Sequence, residues 1–259
     1  MTGEVNLICS IHASREELWE ACSTRSGLEG WYADRVTGTI ANGARMRLEW
    51  PELGASVELN VEDLRHNERL VLANGKSRVE LSVGDGIVRL SHTGLAEDDD
   101  VEGFRSSWRV ALALLRHSVE EHPRAPRRVR WAARPARASA ELAHLCFTAP
   151  AALDRWLGRG SVLGAEGEAY RITLLSGDAM SGKVLCRTPG RDLALSWSEQ
   201  NESVLVLRTL PSPRASQERV LAICWSKWGA TEPGEHALEN ELRRSLERLG
   251  ALLAMSGSA

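Results

Sequence analysis

The sequence predicts an α+β protein of two tandem domains, each a curved antiparallel sheet with a long amphipathic helix laid across it. Three observations lead there. First, a short phrase recurs. Leu28-Glu29-Gly30-Trp31 and Leu153-Asp154-Arg155-Trp156 stand 125 positions apart, and a tryptophan match carries weight because the residue is rare. Second, the match extends in order on either side. Ala13-Ser14-Arg15-Glu16 falls on Ala138-Ser139-Ala140-Glu141, and Gly43 falls one residue out of step with Gly167. The stretch from His66 to Leu72 resembles that from Pro189 to Leu195, each with a turn, a charged pair and an apolar run. Third, each half ends in an alternating strand, Ile87 to His92 or Arg219 to Trp225, followed by a helix with one apolar face. A chain of 259 residues has room for two separate cores, and ordered self-similarity reads as a diverged duplication.

The elements follow from local chemistry. Glu4 to His12 alternates apolar and polar residues as a strand does. Ser14 then stands at an N-cap with Glu17 three residues on, the capping-box pattern. The helix that follows is expected to bury Leu18 and Ala21 and to end before Gly27. From Thr37 to His92, strand-like pieces alternate with turn signals at Asn42-Gly43, Pro51 to Gly54, His66-Asn67, Asn74-Gly75 and Gly84-Asp85-Gly86, which makes a meander. The acidic stretch from Glu97 to Glu102 reads as a solvated loop capping a helix whose apolar face carries Phe104, Trp108, Leu112, Leu115 and Val119. The second half repeats this order: a strand from Arg127 to Ala136, a helix from Ser139 to Phe147, a meander from Tyr170 to Trp225, and a last helix seamed by Leu238, Leu242, Leu246, Leu249 and Leu253. The domains are therefore expected at 1–121 and 126–256, joined by a short linker. An amphipathic helix across a curved sheet leaves a cavity between them if the curvature is strong.

Bulk properties exclude several classes. Hydrophobic residues make up 43% and charged residues 26%, with a net charge of −3, so no global charge draws the chain to nucleic acid or an anionic membrane. Arginines from Arg124 to Arg137 fall largely on the predicted strand and point outward, so no nucleic acid is expected as a partner. The first twenty residues hold charges and no apolar block, and nothing approaches a membrane span. A cytoplasmic location is expected, with the five cysteines as reduced, buried thiols. Abundant alanine, and arginine in excess over lysine, suit a GC-rich bacterial coding bias.

The phrases ASREELWEAC, GLEGWYAD, NGARMRLEWP, NERLVL, VRLSHTGL and SSWRVALALL resemble the START-like superfamily of helix-grip proteins known as SRPBCC. The nearest likeness is to the AHSA-type branch, named for activators of the heat-shock-protein-90 ATPase. The first half matches over nearly its whole length. The second matches through RWL, GRDLALSW and its last helix, lacks a tryptophan equivalent to Trp108, and has Cys224-Trp225-Ser226 where the first has His92-Thr93-Gly94. The resemblance implies two helix-grip domains, each with a cavity in which relatives hold lipids, sterols, polyketides or other apolar molecules. The same superfamily includes binding proteins, cyclases and co-chaperones.

Catalytic signatures are thin. Gly177 to Val184 has the glycine and lysine spacing of a phosphate loop, but Val184 stands where a Ser or Thr should hold Mg²⁺, so a tight hairpin is expected. Gly158-Arg159-Gly160 echoes a dinucleotide turn and reads as a loop. None of the seven histidines has a zinc-ligand spacing, so no metal and no cofactor are expected. His92, with Glu49 or Asp34, is the one candidate general base. Nine tryptophans against two Phe and two Tyr are more informative. Trp31, Trp50 and Trp108, with Leu112 beside them and Arg47 or His92 as a polar anchor, would line a ligand cavity. Trp156, Trp197 and Trp225 are expected in comparable places in the second half. Non-catalytic binding of a small apolar ligand is the first expectation. A co-chaperone-like interaction module, partnered by a chaperone or another protein, is the second, and a cyclase or hydrolase using the same cavity is the third.

Overall fold

The computed structural model describes residues 3–211 and 218–256. The chain divides at Arg128 and Val129 into two compact units. Each is a helix-grip domain.

In the first unit, β1 (Gly3–Ser10) leads to α1 (Arg15–Ser23) and α2 (Arg25–Glu29). Then come β2 (Arg35–Gly38), β3 (Arg45–Trp50), β4 (Ala55–Arg65), β5 (Arg69–Asn74), β6 (Ser77–Gly84) and β7 (Ile87–Leu95), and finally α3 (Val101–Glu121). The sheet is antiparallel in the order β1-β7-β6-β5-β4-β3-β2, so β1 leaves for the helices and the meander returns to its flank. The second unit repeats the plan with β8 (Arg127–Arg137), α4 (Ala140–Thr148), α5 (Pro150–Trp156), β9 (Gly158–Leu163), β10 (Ala169–Leu174), β11 (Ala179–Thr188), β12 (Asp192–Trp197), β13 (Ser203–Pro211), β14 (Glu218–Trp228) and α6 (Glu235–Ser256). Its strand order, β8-β14-β13-β12-β11-β10-β9, is the first sheet's order renumbered.

The duplication is visible in single bonds. Trp31 donates its indole N–H to the carbonyl of Ala21 at 3.0 Å, and Trp156 donates to that of Cys146 at 2.8 Å, each reaching ten residues back to the first helix of its unit. Ser14 and Glu17 form the full capping box of α1, and Ser139 caps α4 at the equivalent place. Replacing Ser14 by alanine removes that cap and is expected to lower the unfolding free energy by about 1 kcal/mol in a urea titration. Asp100 caps α3 by accepting from the Gly103 N–H.

Several local expectations are corrected. Helix α1 buries Leu18, Trp19 and Cys22, while Ala21 is only half-buried, because its inner stripe runs one residue away from the predicted one. Gly158 to Gly160 is not a loop. It opens strand β9, where a Cβ on Gly158 would sit 2.4 Å from the Thr173 carbonyl oxygen, and Gly160 takes a positive φ of 61° beside a register shift. The phosphate-loop echo is a hairpin only at its start. Gly177 turns the chain with φ 97°, but Gly182 lies inside β11, where a Cβ would meet the Ser196 carbonyl at 2.3 Å. Strand β12 is buried at every position, so the apolar run Leu193-Ala194-Leu195 at its centre shows no alternation. The five cysteines are unpaired thiols, four of them buried, and burial pushes the Cys22 thiol up to about 12. Among the described residues no helix is long and apolar enough to cross a membrane.

Candidate functional site

Strand pairing decides which side chains face the helix. His92 pairs with Val79 across β7 and β6, and Leu90 pairs with Leu81. Following directly opposite pairs across the sheet puts Leu72, Val61, Leu59, Val57, Met46, Leu48 and Trp50 on that same inner face. Trp108 of α3 closes over it by donating its indole N–H to His92 Nδ1 at 3.0 Å. An indole nitrogen only donates, so Nδ1 must accept. The ring proton of His92 then sits on Nε2, which donates to Ser77 Oγ at 2.8 Å. Burial holds the His92 pKa below the ordinary 6.5, against a smaller opposing pull from Asp99. His92 is thus a neutral imidazole with both nitrogens engaged.

An aromatic cluster forms around a residue the sequence reading passed over. Tyr32 stacks on Trp108 at 4.9 Å and on Trp31 at 5.3 Å, and meets Trp50 edge-on at 5.7 Å. Its backbone carbonyl also accepts the Trp50 indole N–H. Phe104 packs edge-on against His92 at 4.9 Å. Trp31, Trp50 and Trp108 therefore do converge, joined by Tyr32, while Leu112 is buried one turn further along α3. The scarcity of tyrosine beside a tryptophan in GWYAD was the available signal. Tyr32 and Trp50 are half-buried, as are Val57, Leu59, Ser77 and Val79, so this inner face is not fully covered.

Arg47 is not part of this group. It points to the outer face, opposite Met46 and Leu48, where it pairs with Glu49 at 3.2 Å and donates to Ser56 at 2.8 Å. A strand side chain cannot anchor a ligand on the face it turns away from. Glu49 turns to the outer face with Arg47, away from His92, and the two ring nitrogens of His92 are engaged by Trp108 and Ser77, not by Glu49 or Asp34.

The second unit fills the same space. Trp156, Trp197 and Trp225 are 0%, 0% and 3% exposed within one continuous core that includes Phe147, Tyr170, Met180, Leu205 and the α6 leucines. The Trp197 indole donates to the Ala179 carbonyl at 3.0 Å. Equivalent strand pairs set Trp225, not Cys224, in the place of His92, since Trp225 pairs with Leu205 as His92 pairs with Val79. Trp225 donates to Ser203 Oγ at 2.9 Å, in the place of the contact between His92 and Ser77. Trp197 lies on β12, the counterpart of β5, and so does not correspond to Trp50 on β3. Above the Trp225 ring, at 5.2 Å from its centroid, Lys227 binds Glu232 at 2.9 Å and Glu235 at 3.2 Å. Where the first unit leaves Tyr32, Trp50, Val57 and Val79 half-buried, the counterparts Leu157, Leu174, Met180 and Leu205 are fully buried. Among the described residues, no three His, Cys, Asp or Glu side chains gather as metal ligands would.

No family model and no curated protein matches the chain. Solved structures do resemble it. The Aha1 dimer from Colwellia psychrerythraea is 21% identical over 45% of this chain and 96% of that one, with a TM-score of 0.41. The di-domain ARO/CYC StfQ of the steffimycin biosynthetic pathway is 9% identical over 98% of this chain and all of its own, with a TM-score of 0.45. The di-domain ARO/CYC BexL of the BE-7585A pathway is 14% identical over 98% of both chains, at 0.44. At such scores the fold assignment rests on this chain's own strand order, pairing and caps. The chain carries two helix-grip folds in tandem.

Proposed function

We propose that the first domain binds one small apolar ligand without catalysis, and that the second domain binds none. A single contrast carries this reading. The inner face of the first sheet keeps Tyr32, Trp50, Val57 and Val79 half-buried, whereas their counterparts in the second domain, Leu157, Leu174, Met180 and Leu205, are fully buried in its core. Apolar surface left open inside a fold is costly in water and is relieved when a ligand covers it. The polar groups at the back of the site are committed to each other through Trp108, His92 and Ser77. They leave no base or nucleophile poised for chemistry.

Fluorescence titration with the neutral dye Nile red is expected to saturate at one dye per chain. Native mass spectrometry of protein from its own source is expected to show one extra mass, released on unfolding. Saturation at two equivalent dyes would overturn the assignment of a filled second domain. Neither dye uptake nor an extra mass would remove the ligand reading and favour a protein-partner role.

A further inference from the structure

We infer that the Trp108–His92–Ser77 relay is a pH-sensitive latch that holds the start of α3 over the first domain's inner face. The inference rests on the ligand-binding reading for what the latch controls, and on geometry for the latch itself. Trp108 of α3 donates a hydrogen bond to the sheet, and its acceptor is a titratable nitrogen at 3.0 Å. Proton uptake by His92 would turn Nδ1 into a donor facing a second donor. The bond would be lost and two N–H groups would be left in repulsive contact. The ring could then be charged only with α3 drawn away and water admitted.

The surroundings favour such a response. From β6 the ring meets Ser77, and the residue opposite it is Val79; from β1 it faces Val5. From α3 it meets Phe104 and Trp108, and Glu102 and Arg105 on that helix pair with each other at 3.2 Å. Asp99, in the loop ahead of α3, is the charged group whose field reaches the ring and favours the proton, but burial outweighs it. The sign follows. A histidine whose pKa is depressed in the closed state contributes closure that is complete above 6.5 and is lost as the pH falls below it. The second domain lacks this dependence. Trp225 occupies the same place, makes the same kind of bond to Ser203, and does not titrate.

The experiment is amide hydrogen exchange over residues 101–108, corrected for intrinsic rates, from about pH 7.5 to about pH 5.5. It is paired with stopped-flow release of bound Nile red. The wild type is expected to open more in acid, by up to about tenfold per pH unit below 6.5. His92→Gln can accept from Trp108 and donate to Ser77 without titrating, so its opening is expected to change less than about twofold over the same range. Trp108→Phe removes the opposing donor and is expected to flatten the slope as well, which keeps the test usable if the glutamine variant folds poorly. Equal slopes in all three proteins, or no slope in the wild type, would overturn the latch. Exchange that responds while dye release stays flat would overturn its control of the site. Failure of dye to bind at any pH would instead count against the ligand reading, with hydrogen exchange still deciding the latch.

Discussion

Trp225→Ala is expected to lower the unfolding free energy of the second domain by about 3–5 kcal/mol, the largest stability effect of any substitution considered. The ring is 3% exposed and stands 5.7 Å from the Trp197 ring, within a core whose other members are similarly closed. Truncation would remove the ring's transfer energy and leave a cavity that strands β12 to β14 cannot collapse into, since they are paired along their lengths. It would also strip Ser203 of its donor and Lys227 of the aromatic face beneath it. Urea unfolding followed by circular dichroism checks this, with the two units analysed as separate transitions if they separate. Trp50→Ala, at a half-buried position, is the comparison and is expected to cost roughly half as much or less. A loss below about 1 kcal/mol for Trp225→Ala would mean that the second interior is not packed as described.

The second large effect is on binding. Val79→Trp is expected to weaken Nile red binding at least about 100-fold while changing stability by no more than about 1 kcal/mol. Val79 lies on the inner face opposite His92 and is half-buried, so an indole there would occupy open space instead of forcing a packed core apart. The substitution copies the second domain's solution, a large side chain where the first leaves room. Leu59→Trp should act in the same direction from β4. If Val79→Trp instead costs about 3 kcal/mol, the patch was already filled and the binding site lies elsewhere. If stability and dye affinity are both unchanged, the dye binds outside the first domain's inner face.

These two substitutions also mark how far the sequence could be read. The capping box at Ser14 and the turn glycines were legible because each rests on near neighbours in the chain, and the repeat of Trp31 at Trp156 because a short phrase around a rare residue recurs. The convergence of Trp31, Trp50 and Trp108 was expected. Tyr32 at their centre was not, because a lone tyrosine after a short helix carries no periodicity. Arg47 failed as an anchor for a simple reason: adjacent strand residues face opposite sides, and a one-residue difference decides everything. The same slip misplaced Cys224 against His92, when the pairing of β13 with β14 brings Trp225 there.

The sequence by itself determined the order of the architecture: two copies of a strand, a helix, a meander and a long helix. Period, capping and turn chemistry are local, and they act before any distant contact forms. Only the tertiary structure decided which copy leaves inner-face side chains half-buried. That depends on whether side chains from strands tens of residues apart meet in the middle, as Met180, Leu205 and Trp225 do in the second domain. It also decided that His92 is neutral and held between Trp108 and Ser77, because a histidine's tautomer and charge are set by the partners and the burial that folding supplies.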